Sequence, residues 1–339
     1  MTAWLLAAAA PWSCGGVEIL AWVTHDGGAV ASDDGSIGLG DGAAGQGESS
    51  VSSDAGPETP DDSATRQEGG STAQDAATFG PPTLVSELAA ANSNDFKETL
   101  TDDLLEVYFC SDRPGGPGEQ DIWFSTRTTA SDPWSTPACA VDLSGPTQET
   151  GTALAGDGLT IWFSSDRPGG KGGYDIWVST RVSRTTAWST PKPVMELNTP
   201  SDEFPRPPIA SGLLMPPSYR SAPINQFQTF TTTRPSPDSP WTAPVRLTEV
   251  DTADVDTDGF ETSDGLAFYF SSDRIVDGGQ NLFVATRADA AAPFGSFAPL
   301  AELNVLGAQD RDPWLSPDGH EIYFSSNRSG TLKIYEANR

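Results

Sequence analysis

Arg113, Arg167, Arg220, Arg274 and Arg328 follow one another at intervals of 54, 53, 54 and 54 residues. A second set, Arg127, Arg181, Arg234, Arg287 and Arg339, keeps step with the first. Eighteen positions ahead of each arginine of the first set stands an acid: Asp95, Glu149, Asp202, Asp256 and Asp310. Five carboxylates drawn into a ring would raise one another's pKa or recruit a cation, and Ca²⁺ suits such hard oxygen ligands. The alternative is that each acid caps a turn or pairs with the arginine of its own repeat. Asp112, Asp166 and Asp273 directly precede three of the arginines, at positions where a carboxylate can accept from turn amides. Four further acids, Asp103, Asp157, Asp264 and Asp318, lie ten residues before an arginine of the first set.

Other chemistry is sparse. The only histidines are His25 and His320, and the three cysteines, Cys14, Cys110 and Cys139, form no paired spacing. A zinc site of the usual kind is therefore not expected. Cys110 and Cys139 either pair in an oxidising compartment or remain separate small apolar residues. No GxSxG elbow, phosphate loop or dinucleotide fingerprint occurs, so no catalytic residue is assigned. A net charge of −28 opposes binding to nucleic acid or to an anionic membrane surface through a broad face.

The elements that position these residues come from the repeat. Residues 110–127 read "CSDRPGGPGEQDIWFSTR" and residues 164–181 read "SSDRPGGKGGYDIWVSTR". The phrase recurs three more times with erosion, most in the third copy, "RPPIASGLLMPPSYRSAPINQF". Each unit holds four strand-like pieces, typified by "ETGTALAGDG", "LTIWFSSD", "YDIWVSTR" and "WSTPKPVMELN". The middle two are apolar on both alternating faces, as in strands sandwiched between sheets. Glycine-rich joints between them supply the positive φ that tight turns need. The fold predicted is all-β, a five-bladed β-propeller of four-stranded antiparallel blades over residues 83–339.

The phase of the repeat supports a ring. The fifth unit ends at Arg339 without a fourth strand, while an orphan "TLVSEL" at 83–88 resembles "KPVMEL" (192–197) and "APLAEL" (298–303). The orphan can close the last blade and leave no unpaired edge there.

"LSPDGHEIYFSSNRSGTLKIYEA" and "SSDRPGGKGGYDIWVSTR" resemble the TolB-like, WD-repeat-like β-propeller repeats of exported bacterial proteins. The resemblance implies fold more than function, since that family spans scaffolds, peptidase-associated propellers and sugar lyases.

Ahead of the repeats, residues 1–23 carry an apolar run like a signal peptide, and "PWSCGG" places Cys14 in a lipoprotein-like box. Residues 24–80 are rich in Gly, Ser and Asp, a composition expected to form a disordered tether. The expectation is an exported monomer, periplasmic, outer membrane-anchored or extracellular, touching membrane only through a lipid on Cys14. Its function reads as a non-catalytic binding or scaffold propeller that presents loops to a protein or cell-envelope glycan. A carbohydrate-active enzyme and a repeat lectin are the alternatives, and the eroded third copy is the candidate for a unique surface.

Overall fold

A computed structural model describes residues 78–209, 212–221 and 226–339, without the side chains of Arg220 and Ser221. These fall in the compact unit Gly70–Arg339. The leader, Cys14, His25 and most of the tether lie outside the described residues.

Alternating runs such as "TIWFSS" cannot satisfy both faces in water, so they form the middle strands of blades buried on both sides. Five antiparallel sheets result, arranged as a propeller. Blade 1 runs outward as Asp95–Leu100, Glu106–Ser111, Asp121–Thr126 and Ala138–Cys139. Blade 2 follows as Glu149–Leu154, Thr160–Ser165, Asp175–Thr180 and Lys192–Pro193. Blade 4 comprises Asp256–Glu261, Ala267–Ser272, Asn281–Thr286 and Ser296–Pro299.

Blade 5 is closed by the N-terminal segment. Behind Asp310–Leu315, Glu321–Ser326 and Lys333–Asn338, its outer strand is Thr83–Leu84, with Thr83 opposite Glu336. The closure begins earlier than the orphan motif. Phe79 is buried, its ring 4.6 Å from the Arg339 guanidinium, and Gly80 N–H donates to Asn338 O at 2.7 Å. Residues 79 and 80, which composition alone assigned to the tether, thus belong to the propeller.

Blade 3 is irregular for a covalent reason. Its inner strand stops after Asp202–Phe204 because Pro205, Pro207 and Pro208 have no N–H to donate. Pro216 and Pro217 split the second strand into Leu214–Met215 and Ser218–Ser221, both paired with Gln226–Thr233. Val245–Arg246 completes the blade.

The four regular inner strands each carry a β-bulge, between Phe96/Thr99, Thr150/Ala153, Thr257/Phe260 and Arg311/Trp314. At the bulge the backbone turns left-handed, with φ 56° at Lys97, 60° at Gly151, 57° at Asp258 and 60° at Asp312. The bulge joins blade to blade: the N–H groups of Lys97, Asp258 and Asp312 each donate to a serine hydroxyl of the preceding blade, Ser325, Ser218 and Ser271, at 3.2 Å. Ser164 reaches Glu203 O at 2.6 Å across the seam between blades 2 and 3.

Cys110 takes the serine position in blade 1. Cys110 and Cys139 are both free. They stand on the second and fourth strands with the third between them, about 10 Å apart at the usual strand spacing, too far for a disulfide.

Candidate functional site

The repeat-locked arginines pair with acids of their own blades and with carbonyls of the segments that lead into them. Arg113 donates to Ser111 Oγ (2.9 Å), Asp95 Oδ1 (2.5 Å) and Leu88 O (2.5 Å), and its guanidinium stacks between Phe109 and Trp123. Arg167 repeats this on Ser165, Glu149 and Leu143 O. Arg274 does so on Ser272, Asp256 and Val250 O, and Arg328 on Ser326, Asp310 and Leu303 O. The acids' remaining oxygens accept from turn amides such as Ala90 N and Thr252 N. Of the two readings, a ring or pairing within the repeat, these carboxylates follow the second, each bound by the arginine of its own blade, and Asp95 is also bound by Lys333 of blade 5 at 2.8 Å. Among the described residues no group of three or more His, Cys, Asp or Glu is disposed to hold a metal ion.

The third copy corrects the count. Glu203, not Asp202, takes the repeated acid position, accepting from Thr199 N (3.1 Å) and its hydroxyl. Asp202 accepts instead from Tyr174 N at 3.0 Å. Glu203 lies opposite Tyr219, and the Arg220 backbone lies opposite Asp202. The Arg220 backbone is therefore one residue out of register with the other arginines. Tyr219 fills the place: its hydroxyl donates to Leu197 O at 2.9 Å, the carbonyl equivalent to those the arginines bind. Burial pushes the Glu203 carboxyl up to about 8.

The small anchors behave alike in every copy that has them. Asp112 accepts from Asn94 N, Asp166 from Gln148 N and Asp273 from Val255 N, at 2.7–2.9 Å. Arginines of the second set bind the turn carbonyls between first and second strands and stack on Trp134, Trp188, Trp241, Phe294 and Phe79.

What the repeat does not share lies on the axis. Lys97 Nζ is 2.7 Å from Asp258 Oδ1 and 3.0 Å from Asp312 Oδ1, joining blades 1, 4 and 5. Arg206 arrives from the proline-broken strand of blade 3. It is fully buried, donates to Pro313 O (2.9 Å) and Gly259 O (3.3 Å), and comes within 3.6 Å of Asp312. Arg311 Nε lies 3.4 Å from Asp312 Oδ2. Lys97 also sits over the Phe204 ring, at 5.4 Å. Gly151 leaves room for that ring, since a Cβ there would meet Phe204 at 3.3 Å.

Burial alone would raise the Asp312 carboxyl, but Lys97, Arg311 and Arg206 together hold it well below the usual range. Neighbouring Glu98 is neutralised less, Arg206 alone of these cations acting on it. Burial, then the Asp312 charge, pushes it up to about 8, and it accepts from Ser325 Oγ at 2.8 Å. Two carboxyls with separated affinities resemble an acid–base pair. Both are fully buried, however, and Asp312 faces three cations. This arrangement straps blades together. Sequence reasoning passed over Lys97, Glu98, Arg206, Asp258 and Asp312. The available signal was a charge at an inner-strand position whose identity changes from copy to copy.

The open site lies where the inner strands end. A depression of about 1440 Å³ has an apolar floor that includes Leu100, Phe260 and Trp314, and a rim of Asp102, Asp157, Asp264 and Asp318. Asp157, Asp264 and Asp318 accept from the amides two residues on, and Thr262 and Ser316 hold Asp264 and Asp318 below their ordinary pKa. Asp102 is pushed up by partial burial, then by Asp157 and Asp103. His320 is exposed beside Asp318. The rim arginines are already committed, Arg234, Arg287 and Arg339 donating to Gly212 O, Gly265 O and Gly319 O. Pro207, Pro208 and Ile209 bring the irregular third blade into the wall.

Among solved structures, the chain is similar to Zg3597, a family 117 glycoside hydrolase from the marine bacterium Zobellia galactanivorans. The match has a TM-score of 0.52 at 12% identity and covers 77% of this chain and 90% of that one. TolB from Acinetobacter baumannii matches with TM-score 0.47 at 12% identity, over 74% of this chain and 56% of TolB. An endo-arabinase from Bacteroides thetaiotaomicron matches with TM-score 0.47 at 12% identity, over 77% and 97%. The chain spans little more than half the length of TolB and of sialidase Hz136, 56% and 58%. At such identities the likeness establishes the propeller fold. No protein-family model matches the sequence, and no curated protein matches it.

Proposed function

We propose that the chain is a non-catalytic binding propeller, exported and held at the cell envelope, whose acid-rimmed mouth receives a cationic segment of a protein partner. The observation that carries this reading is the mouth itself. At about 1440 Å³ it exceeds the roughly 300–1,000 Å³ typical of small-ligand pockets, and it joins an apolar floor to a carboxylate rim. Such a surface suits an extended segment bearing Lys or Arg, attracted by the rim and anchored on the floor.

The lectin alternative would need the glycine-rich turns of each blade to receive a sugar. A Cβ on Gly118 or Gly172 would strike backbone of the turn leading into the next blade, at 2.2 and 2.3 Å, so these glycine loops are spent on blade packing. The hydrolase alternative would need two convergent carboxyls facing substrate. Three of the four rim acids are occupied in capping their own turns.

Calorimetric titration of the purified chain with Lys/Arg-rich peptides and with neutral oligosaccharides tests the reading. About one peptide per chain, weakened by Asp264→Asn with Asp318→Asn, is the expected result. Neutral glycan binding without peptide binding, or shortening of polysaccharide by the chain, would overturn it.

A further inference from the structure

We infer that blade 4 carries a second docking surface, on the face opposite the mouth, for a segment of another protein that has apolar side chains flanked by Lys or Arg. It consists of two adjacent loops, 273–280 after the second strand and 304–309 leading into blade 5. Val276 is 100% exposed and Leu306 83%, with Ile275 and Val305 beside them at 39% each. Phe297 on the outer strand extends the apolar strip, its ring 5.7 Å from the Arg274 guanidinium.

This exposure does not come from a slack backbone. Gln280 pairs with Gln309 in a parallel bridge, and Asp310 N–H donates to Gln280 O at 2.9 Å. Asp277 holds its own loop through Gly279 N (3.0 Å) and Asn281 Nδ2 (3.1 Å). Val305 N–H is fixed on Asp310 Oδ2 at 2.7 Å, and Gly279 packs directly against Ala308, where a Cβ would lie 1.8 Å from the carbonyl oxygen. The loops present their apolar side chains from a fixed frame, so little ordering entropy opposes capture of a partner.

Nor does the fold require these residues. The corresponding loops read "PGGPGEQ" and "SGPTQ" after blade 1, and "PGGKGGY" and "NTPS" after blade 2. Glycine, proline and polar residues suffice there. Contiguous exposed apolar side chains on a rigid frame mark an interaction site.

Charge selects the partner. Exposed Asp254 lies beside Asp273, whose carboxyl is pushed up by burial and then by the Asp254 charge. Asp277 stands within the patch. Arg274 cannot neutralise this margin, because its guanidinium is engaged by Ser272, Val250 O and Asp256. An apolar anchor with basic flanks complements both features, whereas anionic lipid would be repelled.

The test is binding of short synthetic peptides, an apolar pair flanked by lysines, to the full chain, read by calorimetry at two salt concentrations. Val276→Asp with Leu306→Asp should weaken binding by about tenfold or more with an unchanged melting temperature. Asp254→Lys should weaken it less and flatten the salt dependence. Asp318→Asn, at the mouth, should leave it unaltered, which separates this surface from the proposed one. Three outcomes would overturn the inference. These are peptide affinity indifferent to the Val276 and Leu306 changes, a wild-type dimer that Val276→Asp dissociates, or preferential binding to anionic vesicles.

Discussion

The blade arginines and the axial cluster use the same chemistry, guanidinium or ammonium against carboxylate, under opposite rules. Around the disc, Arg113, Arg167, Arg274 and Arg328 each satisfy an acid of their own blade, so one fastening is repeated in four units. On the axis, Lys97, Asp258, Asp312 and Arg206 come from four different blades and meet in one cluster, where only Asp258 and Asp312 repeat one residue type at one repeat position. A change at the periphery removes one of several equivalent fastenings, while a change at the axis strands charges that belong to several blades at once.

The difference can be broken most forcefully at Lys97. Lys97→Met leaves Asp258 and Asp312 buried beside each other without their shared cation, and removing one partner of a buried pair costs about 3–5 kcal/mol. Urea unfolding should register a loss of that order. A change below about 1 kcal/mol would show the axis to be electrostatically inert.

A peripheral change should cost less. Arg167→Ala removes charge-assisted hydrogen bonds worth about 1.5–3 kcal/mol. Arg220→Ala, one register step away from the equivalent place, should cost less than Arg167→Ala in the same unfolding experiment. Tyr219→Phe should cost about 0.5–1.5 kcal/mol, because it removes the hydroxyl that stands in for the guanidinium. If Arg220→Ala proved as damaging as Arg167→Ala, the assignment of Tyr219 as the substitute would fail.

A further difference is a matter of pH. The Glu98 carboxyl is raised from 4.5 to about 8 in the folded chain, so between those values the folded state holds a proton that the unfolded state releases. Its contribution is complete below 4.5 and is lost as pH climbs through about 8. Asp312 has the reverse sign: its contribution is present above the ordinary carboxylate range and disappears as acid protonates it. Glu98→Gln should flatten the alkaline side of the stability profile and leave the acid side alone. An unchanged alkaline slope would place the titrating group elsewhere, Glu203 being the next to examine.

The ring was readable because its constraints repeat: one phrase written five times, with a missing last strand matched by an orphan first one. The same regularity misled at blade 3. Counting intervals treated Arg220 as the arginine of the third copy, although that copy is one residue short and the neighbouring tyrosine inherits the contact. Phe79 escaped notice because its stacking partner, Arg339, lies at the far end of the sequence. Lys97 and Arg206 were invisible for a deeper reason. A repeat comparison discounts positions that vary, and these positions vary because the axis sets cations from two blades against acids from two others. The mouth was legible only as turn acids, since its width depends on how five loop ends converge.

Phe79 and Gly80 are fastened to the end of the last strand, through the ring on Arg339 and the Gly80 amide on Asn338, with Thr83–Leu84 and the Val85 amide paired to that strand beyond. Any pull on the residues that precede Thr78 is therefore delivered first to the clasp of the circle. Under load the molecule would open like a bracelet at its catch before any link between neighbouring blades gave way.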